Sequence, residues 1–304
     1  MTCPSKSNPE IITADFVKKV LPERPKNSNK GSFGKISLFV GGKKYFGASA
    51  LALEAALRGG VGYTTLFGER EQNRLLKLKF PEALYKERKP FSEMTDADIE
   101  EILATPEAGG NIVIGCGAEA SLGLARLLIA LLNTEGGFIL IDADAINSLS
   151  YIRAEAFSAI RNSKRRIIFT PHHMELSRIS GIDIEKINED RVSAARCFYS
   201  EIESEHVNHI LLLKGAGTLV LCGDRLYINS SGSSALAKAG SGDVLAGLIG
   251  AMVAQNPDVA PEAVAASTYL HGAAADTLSA SLSEFGVTPS DLPIAIAKEI
   301  KSLI

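Results

Sequence analysis

The sequence predicts an α/β fold, a three-layer αβα arrangement in which a mostly parallel central sheet lies between helices. Short, almost wholly apolar runs rich in β-branched residues alternate with longer Ala- and Leu-rich segments, which is typical of parallel strands joined by helices. Hydrophobic residues make up 46% of the 304 residues, enough for a large core. No internal repeat and no low-complexity linker interrupts the chain, so residues 1–304 are expected to form a single domain.

The expected elements follow one another in a regular order. The expected strands are 36–40, 63–67, 111–115, 138–142, 166–170 and 209–214. The expected helices between them are 47–58, 96–103, 122–132, 154–161 and 185–205. Residues 68–110 show no clear pattern apart from the helix at 96–103. Residues 1–30, which contain several prolines and lysines, are expected to form an N-terminal arm with little core of its own.

A β-hairpin is expected in the C-terminal half of the chain. The apolar segments TLVLC and RLYIN flank Gly223-Asp224, a two-residue turn signal of a hairpin. Three helices are expected to follow, near 242–255, 261–280 and 288–303.

Charge and composition exclude several classes of protein. Lys and Arg total 32 against 35 Asp and Glu, a formal net charge of −3, so no broad basic field attracts nucleic acid or an anionic membrane. The longest nearly apolar stretch, 244–254, is far shorter than the roughly 18 residues of a membrane span. The N-terminus lacks the apolar region of a secretory signal. The scattered cysteines are typical of reduced thiols and predict a cytoplasmic protein: Cys3, Cys116, Cys197 and Cys222.

The strongest local motif is Ala239-Gly240-Ser241-Gly242-Asp243, directly before an apolar helix. Glycines let the backbone approach a ligand closely, and a helix start offers unpaired N–H groups to an anion. Asp243 has two interpretations: a cap that compensates the helix dipole, or a general base in phosphoryl transfer. Taken alone, the local sequence favours the cap.

A second glycine cluster, Lys214-Gly215-Ala216-Gly217-Thr218, follows an expected strand. One interpretation is a tight loop between two strands. The other is a loop that brings backbone groups and Lys214 to a nucleotide phosphate. The second gains support because the hairpin and the glycine-rich turn at 240–243 follow shortly afterwards.

Two further motifs indicate other nucleotide-binding proteins. The segment 115–120 matches the GxGxxG/A fingerprint of dinucleotide-binding folds, which supports an NAD-dependent dehydrogenase as a rival function, although it lies mid-chain after earlier strands. The segment KGSFGKIS at 30–37 lacks the first glycine of a Walker A loop, because position 29 is Asn.

Polar residues stand at the ends of two expected strands. His172 follows one strand, at the edge of the sheet where α/β folds bind ligands, and is therefore placed for substrate. Asp142 and Asp144 follow another strand and offer two carboxylates. They are weak candidates for ordering Mg²⁺, and Asp144 alternatively caps the next helix.

These motifs, in their order along the chain, resemble the ADP/ATP-dependent (S)-NAD(P)H-hydrate dehydratases, a branch of the ribokinase-like superfamily. The matching segments are KGSFGKISLFVGG (30–42), FGASALALEAALRGGVG (46–62), VIGCG (113–117), IDADAIN (141–147), FTPHHMEL (169–176), LLKGAGTLV (212–220), AKAGSGDVLAGLIGAMVAQ (237–255) and YLHGAAAD (269–276).

The resemblance implies repair of NADH and NADPH that have been hydrated on the nicotinamide ring, the substrates (S)-NADHX and (S)-NADPHX. A phosphoryl group from ADP, or from ATP, with Mg²⁺ present, would pass to the ring hydroxyl, and loss of phosphate would restore the dihydropyridine. Asp243 would be the catalytic residue, either as the base or as a carboxylate that orients the substrate, and would contact the substrate. The other implied residues are Gly240, Ser241 and Gly242 as an anion hole, Lys214, Gly215, Ala216, Gly217, Thr218 and Gly242 for the adenine nucleotide, and Ala48, Gly117 and His172 for NAD(P)HX.

The same resemblance implies a homotetramer that works beside a separate NAD(P)HX epimerase. The chain departs from the family at Tyr45-Phe46, where Met-Pro is frequent, and at His173-Met174, where Pro-Gly is usual. Ser241 replaces a common threonine and keeps the hydroxyl. The alternatives are a small-molecule kinase of the hydroxyethylthiazole or pyridoxal type, an NAD-dependent dehydrogenase, and a nucleotide-binding module without catalytic activity.

Overall fold

Ten strands form one twisted sheet in the computed structural model, which describes residues 8–304. The strands are β1 (Glu10–Ile12), β2 (Lys35–Phe39), β3 (Tyr63–Gly68), β4 (Leu84–Glu87), β5 (Asn111–Ile114), β6 (Ile139–Ile141), β7 (Ile167–Phe169), β8 (Ile210–Leu213), β9 (Leu219–Cys222) and β10 (Arg225–Asn229). Their spatial order is β1-β10-β9-β8-β7-β6-β5-β2-β3-β4. Only β9 runs antiparallel to its neighbours, which confirms the mostly parallel sheet.

Thirteen α-helices among the described residues cover the sheet. They are α1 (Ala14–Val20), α2 (Phe46–Arg58), α3 (Arg70–Lys79), α4 (Asp96–Leu103), α5 (Leu122–Leu132), α6 (Asp144–Leu149), α7 (Arg153–Asn162), α8 (His173–Ser180), α9 (Ile184–Glu189), α10 (Arg191–Ile202), α11 (Ser241–Gln255), α12 (Ala260–Gly286) and α13 (Leu292–Leu303). Within residues 8–304, none of them is both long and apolar enough to cross a membrane.

The two faces of the sheet carry separate apolar cores, as three layers require. In β5, Val113 points to the core formed with α2, α11, α12 and α13, whereas Ile112 and Ile114 point to the core formed with α4 to α10. Helices α2 and α11 approach unusually closely, because a Cβ on Gly247 would come within 2.1 Å of the Ala52 carbonyl oxygen. The small residues of both helices permit this contact, which carries the N-terminus of α11 towards the sheet.

The predicted hairpin is confirmed, since β9 and β10 pair antiparallel around Gly223-Asp224 with Arg225 opposite Cys222. The single helix predicted at 185–205 is wrong. The chain forms α9 and α10 instead, and Asp190 leaves helical geometry at φ −142° and caps α10 by accepting from the Ser193 N–H at 2.9 Å.

The expected N-terminal arm contributes more to the core than its composition indicated. Strand β1 pairs in parallel with β10, and Ile12 and Val17 are fully buried. A three-residue strand and a short helix bury too few side chains to give a clear sequence pattern. Cys3 and the rest of residues 1–7 lie outside the described residues.

The strand order reverses next to β2, which places a ligand-binding crevice there. From β2 the chain moves to β3 and β4 on one side, whereas β5 to β8 extend the sheet on the other. In open α/β sheets ligands bind beyond the carboxyl ends of strands at such a reversal. The residues that follow β5, β6, β7 and β8 at this edge include the predicted Gly117, Asp142, His172 and Lys214.

Candidate active site

Lys214, directly after β8, is the central cation of this edge. Its Nζ lies 2.7 Å from Asp142 Oδ1 and 3.7 Å from Glu175 Oε2, and all three side chains are largely buried. Thr170 Oγ1 donates to the same Asp142 oxygen at 2.8 Å. Burial alone would lower the pKa of Lys214, but the two carboxylates raise it above its usual value, so the ammonium stays charged.

The glycine-rich turn before α11 has the geometry that the sequence predicted. Gly240 has φ +105°, and a Cβ there would lie 2.6 Å from Leu51 Cδ1, so this position requires glycine. Gly242 lies beside Lys214, whose Nζ would be 3.7 Å from a Cβ on that glycine. The N-terminus of a fifteen-residue helix and a buried ammonium thus face the same space, which suits an anion.

Asp243 lies in the first turn of α11, in an environment that favours the neutral acid. Burial, and then repulsion from Asp142, raises the pKa of Asp243 to about 7. Lys214 opposes this shift, and Asp144 adds to it. A carboxylate that served only as a helix cap would be held ionised by the N–H groups. The environment therefore favours a group that exchanges a proton near neutrality.

A cavity of about 570 Å³ opens beside Lys214 and the start of α11. Of the residues predicted for the adenine nucleotide, Lys214, Gly215, Ala216, Thr218 and Gly242 line it, together with Ser241, and Gly217 does not. Its other lining residues are Asn229, Ser231, Gly232, Ser233, Ser234, Leu236, Ala237, Leu245, Thr268 and His271. This cavity is large enough for a small organic ligand.

His271 gives this cavity an uncharged polar wall. Burial lowers the pKa of His271 to about 4, so the ring is neutral at physiological pH. Its Nε2 and the Ser241 hydroxyl have no hydrogen-bond partner among the described residues, although both atoms are buried. Such unpaired buried groups are rare and concentrate at functional sites.

On the other side of Lys214, the predicted substrate residues Ala48 and Gly117 are in contact. Gly117 has φ +58°, and a Cβ there would lie 2.6 Å from Ala48 Cβ and 2.8 Å from Tyr45 Cβ. Tyr45 itself is more than half exposed at the mouth of this crevice. The backbone of Gly117 therefore packs directly against the start of α2, with Tyr45 beside it.

His172 begins α8 as an unusual helix cap. Its Nδ1 accepts from the N–H groups of Met174 and Glu175 at 3.1 and 3.2 Å, and its Nε2 lies 3.2 Å from Glu175 Oε1. The proton of the neutral ring is therefore on Nε2. Burial and nearby Lys214 lower the pKa of His172. Both ring nitrogens are engaged, so this side chain is suited to contact rather than to proton transfer.

Glu175 is the functional candidate that sequence reasoning missed. Its carboxylate lies between His172 and Lys214. The Oε2 atom accepts the backbone N–H of His172 at 2.8 Å and lies 3.7 Å from the Lys214 ammonium. Burial raises the pKa of Glu175 to about 7. The available signal was a glutamate three residues after a strand-end histidine, which forms a capping box here.

Asp142 and Asp144 do not form a metal cage. Asp142 is paired with Lys214, and Asp144 Oδ2 accepts the Glu119 N–H at 3.0 Å. Ala143 between them has φ +49°, a strained conformation for a residue with a Cβ. Residues 8–304 contain no group of three or more His, Cys, Asp and Glu side chains that could hold a metal ion. A Mg²⁺ here would depend on ligand phosphates, which is its usual mode of binding beside nucleotides.

Similar sequences include NAD(P)H-hydrate dehydratases and bifunctional NAD(P)H-hydrate repair enzymes. A family model described as NAD(P)H-hydrate dehydratase matches residues 36–298. The ADP-dependent (S)-NAD(P)H-hydrate dehydratase of Neisseria meningitidis serogroup B is 33% identical, over 86% of this chain and 83% of its own. The chain spans only about half the length, 53% and 52%, of bifunctional NAD(P)H-hydrate repair enzymes from Thermofilum pendens and Moorella thermoacetica, at 29% and 30% identity.

Solved structures share the fold. The ADP/ATP-dependent NAD(P)H-hydrate dehydratase of Bacillus subtilis, co-crystallised with ATP/Mg²⁺, superposes with a TM-score of 0.83 at 24% identity, covering 98% of this chain and all of its own. A ribokinase-like superfamily protein from Enterococcus faecalis gives a TM-score of 0.80 at 25% identity, covering 97% and 96% of the two chains. The predicted ribokinase-like α/β fold is thereby confirmed. Together with the family match over most of its length, this likeness shows that the chain belongs to the NAD(P)H-hydrate dehydratase family.

Proposed function

We propose that this protein is an ADP-dependent (S)-NAD(P)H-hydrate dehydratase, a hydro-lyase that returns (S)-NADHX and (S)-NADPHX to NADH and NADPH. The family match and the relatives named above support this activity over that of a small-molecule kinase. ATP is the alternative phosphoryl donor, supported by the Bacillus subtilis structure obtained with ATP/Mg²⁺.

The reaction joins a phosphoryl transfer to an elimination. The ring hydroxyl loses its proton and forms a bond to the terminal phosphorus, while the phosphoanhydride bond of the nucleotide breaks. The carbon–oxygen bond then breaks with loss of phosphate, and the neighbouring ring carbon loses a proton, which restores the dihydropyridine. Phosphate is a better leaving group than hydroxide, so the transfer makes the dehydration possible.

Asp243 carries this proposal, because a partly buried carboxylate with a pKa of about 7 stands where an anion site begins. It takes the hydroxyl proton. The N–H groups of Gly240 and Gly242 and the Lys214 ammonium stabilise the charge on the transferred group, whereas the predicted Ser241 N–H donates to the Lys238 carbonyl at 3.2 Å. The substrate lies along Ala48, Gly117 and His172, and the nucleotide lies along 214–218. A Mg²⁺ carried by the nucleotide would neutralise phosphate charge.

The wider setting belongs to the same proposal. We expect one catalytic domain, a homotetramer and a cytoplasmic location. The bifunctional relatives support the expectation that a separate NAD(P)HX epimerase supplies the reactive epimer. Light scattering of the purified protein tests the tetramer directly.

One assay separates the candidate functions. The protein is incubated with hydrated NADH and either ADP or ATP, and recovery of the dihydronicotinamide absorbance is followed. Recovery that requires a nucleotide supports the dehydratase, and the nucleotide with the higher kcat/KM is the preferred donor. Phosphorylation of hydroxyethylthiazole or pyridoxal without recovery would overturn it in favour of a kinase. Oxidation of an alcohol by NAD⁺ without nucleoside phosphate would indicate a dehydrogenase.

A further inference from the structure

Arg88 is a buried cation outside the site described above, and its hydrogen bonds end on the backbone that forms that site. Its side chain is only 1% exposed. Nε donates to the Phe67 carbonyl at 2.8 Å, and Nη1 donates to the Lys89 carbonyl at 3.0 Å. Nη2 donates to the carbonyls of Val40, at 3.4 Å, and Gly41. The guanidinium therefore ties the carboxyl end of β2 to that of β3.

The turn that the guanidinium fixes leads directly into the crevice. Gly41 has φ +72°, and a Cβ there would lie 1.9 Å from Ser49 Oγ, so the turn has no room to shift on that side. The Gly41 N–H donates to the Cys116 carbonyl at 2.7 Å. Cys116 precedes Gly117, which packs against Tyr45 and Ala48. Gly41 thus links Arg88 to the crevice wall, because its carbonyl accepts from Arg88 and its N–H donates to Cys116.

The surroundings of Arg88 hold the guanidinium in one orientation. Its carbon lies 3.6 Å from the centre of the Phe91 ring, and Nη1 lies 3.7 Å from Glu69 Oε1. Burial lowers the pKa of Arg88 to about 10, which leaves it protonated at neutral pH. A lysine would keep the charge but could not reach carbonyls on β2, β3 and the segment after β4 at once.

We propose that Arg88 is a positioning residue for the hydrated nicotinamide substrate. It holds the Gly41 turn so that Tyr45, Ala48 and Gly117 form a continuous wall for the ring. This role rests on the proposed function for the identity of the substrate and for its place along Ala48 and Gly117. Arg88 touches neither substrate nor nucleotide, so its loss acts on substrate binding and leaves nucleotide binding intact.

Arg165 supplies a matched control. It is also fully buried, and it donates to backbone carbonyls of Gly137, Ala108 and Gly110 and to the Thr134 hydroxyl. These groups lie at the opposite, amino-terminal edge of the sheet. A purely structural effect of losing a buried guanidinium appears equally in Arg165→Lys, whereas a positioning effect does not.

The experiment compares wild type, Arg88→Lys and Arg165→Lys. It measures KM and kcat for hydrated NADH at saturating ADP, ADP affinity by calorimetry, the thermal midpoint, and amide hydrogen exchange of residues 40–48. Arg88→Lys is expected to raise KM about tenfold, with kcat and ADP affinity within about twofold of wild type, and to speed exchange at 40–48. Arg165→Lys is expected to lower the thermal midpoint alone.

An unchanged KM in Arg88→Lys, or equal changes in both variants, overturns the positioning role. An inactive wild type overturns the proposed function instead, and the exchange data then decide the positioning role: faster exchange at 40–48 in Arg88→Lys alone supports it, and equal exchange overturns it. If Arg88→Lys does not fold, Phe91→Leu removes the stacked ring and keeps every donor. We expect about a threefold rise in KM for that variant, and no rise overturns the proposal.

Discussion

Two buried cations at opposite edges of the sheet, Arg165 and Lys214, have their charge satisfied in opposite ways. At the amino-terminal edge, Arg165 is fully buried with backbone carbonyls and a hydroxyl as its partners, and burial lowers its pKa to about 10. At the carboxyl edge, Lys214 is buried against Asp142 and Glu175, with Asp243 nearby. Carbonyls cannot accept a proton at neutral pH, whereas crowded carboxylates can. The first arrangement joins strands, and the second creates acids that titrate near neutrality.

Lys214→Met is the substitution expected to lower the free energy of unfolding most. It leaves the buried carboxylates of Asp142 and Glu175 without their cation, which should lower the free energy of unfolding by about 3–5 kcal/mol at pH 8. Protonation of Glu175 removes its repulsion with Asp142, so the loss of stability should be smaller at pH 5.5. Urea denaturation at both pH values measures it.

The double variant Lys214→Met/Asp142→Asn tests the cause of that loss. Removing one of the two stranded charges should restore part of the stability at pH 8. If the double variant is as unstable as the single one, packing of the lysine stem accounts for the loss of stability. Unpaired carboxylate charge then contributes little to it.

Asp243→Asn should have the next largest effect, with activity and stability moving in opposite directions. Without the base, kcat should fall about 100-fold or more while ADP still binds. The folded pKa of Asp243, about 7, lies above its ordinary value, so ionisation makes wild type lose stability as pH rises from about 4 to 7. Asn does not ionise, so the variant should be more stable at pH 8 by about 2–4 kcal/mol. Calorimetric unfolding and steady-state assays check both.

The pH dependence of kcat/KM in the wild-type enzyme also tests the role of Asp243. With an ionised Asp243 as base, kcat/KM should rise about tenfold per pH unit below about 7 and level off above it. Normal turnover by Asp243→Asn, or a profile that is flat through pH 7, would leave Asp243 as a helix cap only.

Much of the fold was predictable because its central strands are buried on both faces. Strands such as β6 and β8 consist of apolar residues from end to end, and the hairpin is marked by Gly223-Asp224. Helix α3 and strand β4 were missed, since they lie at the margin of the sheet. In α3, Leu75 and Leu78 are exposed while Gln72 and Asn73 are buried, which obscures the helical pattern.

The candidate site also contains some residues that the sequence predicts and others that it does not. Residues on glycine motifs, such as Gly117 and Gly240, were predicted as site residues because the motifs stand out in the sequence, and both have positive φ angles that favour glycine. Glu175 and Arg88 were not, because their importance depends on distant partners: the Lys214 ammonium 3.7 Å from Glu175, and the Phe67 and Gly41 carbonyls that Arg88 joins. Helix α8 was missed for a related reason, since a histidine rather than Ser, Thr, Asp or Asn caps it.

The smallest expected effect comes from an ion pair that differs from Lys214–Asp142 chiefly in burial. Lys164 and Glu135 pair at the amino-terminal edge, with side chains 65% and 74% exposed. Hydrogen bonding to Glu135 raises the pKa of Lys164, yet water solvates either charge alone. Lys164→Met should therefore leave the thermal midpoint and kcat unchanged within error, at low and at high salt. A loss approaching that of Lys214→Met would mean that pairing, rather than burial, distinguishes the edges, and the assignment of the carboxyl edge as the reactive one would lose its electrostatic basis.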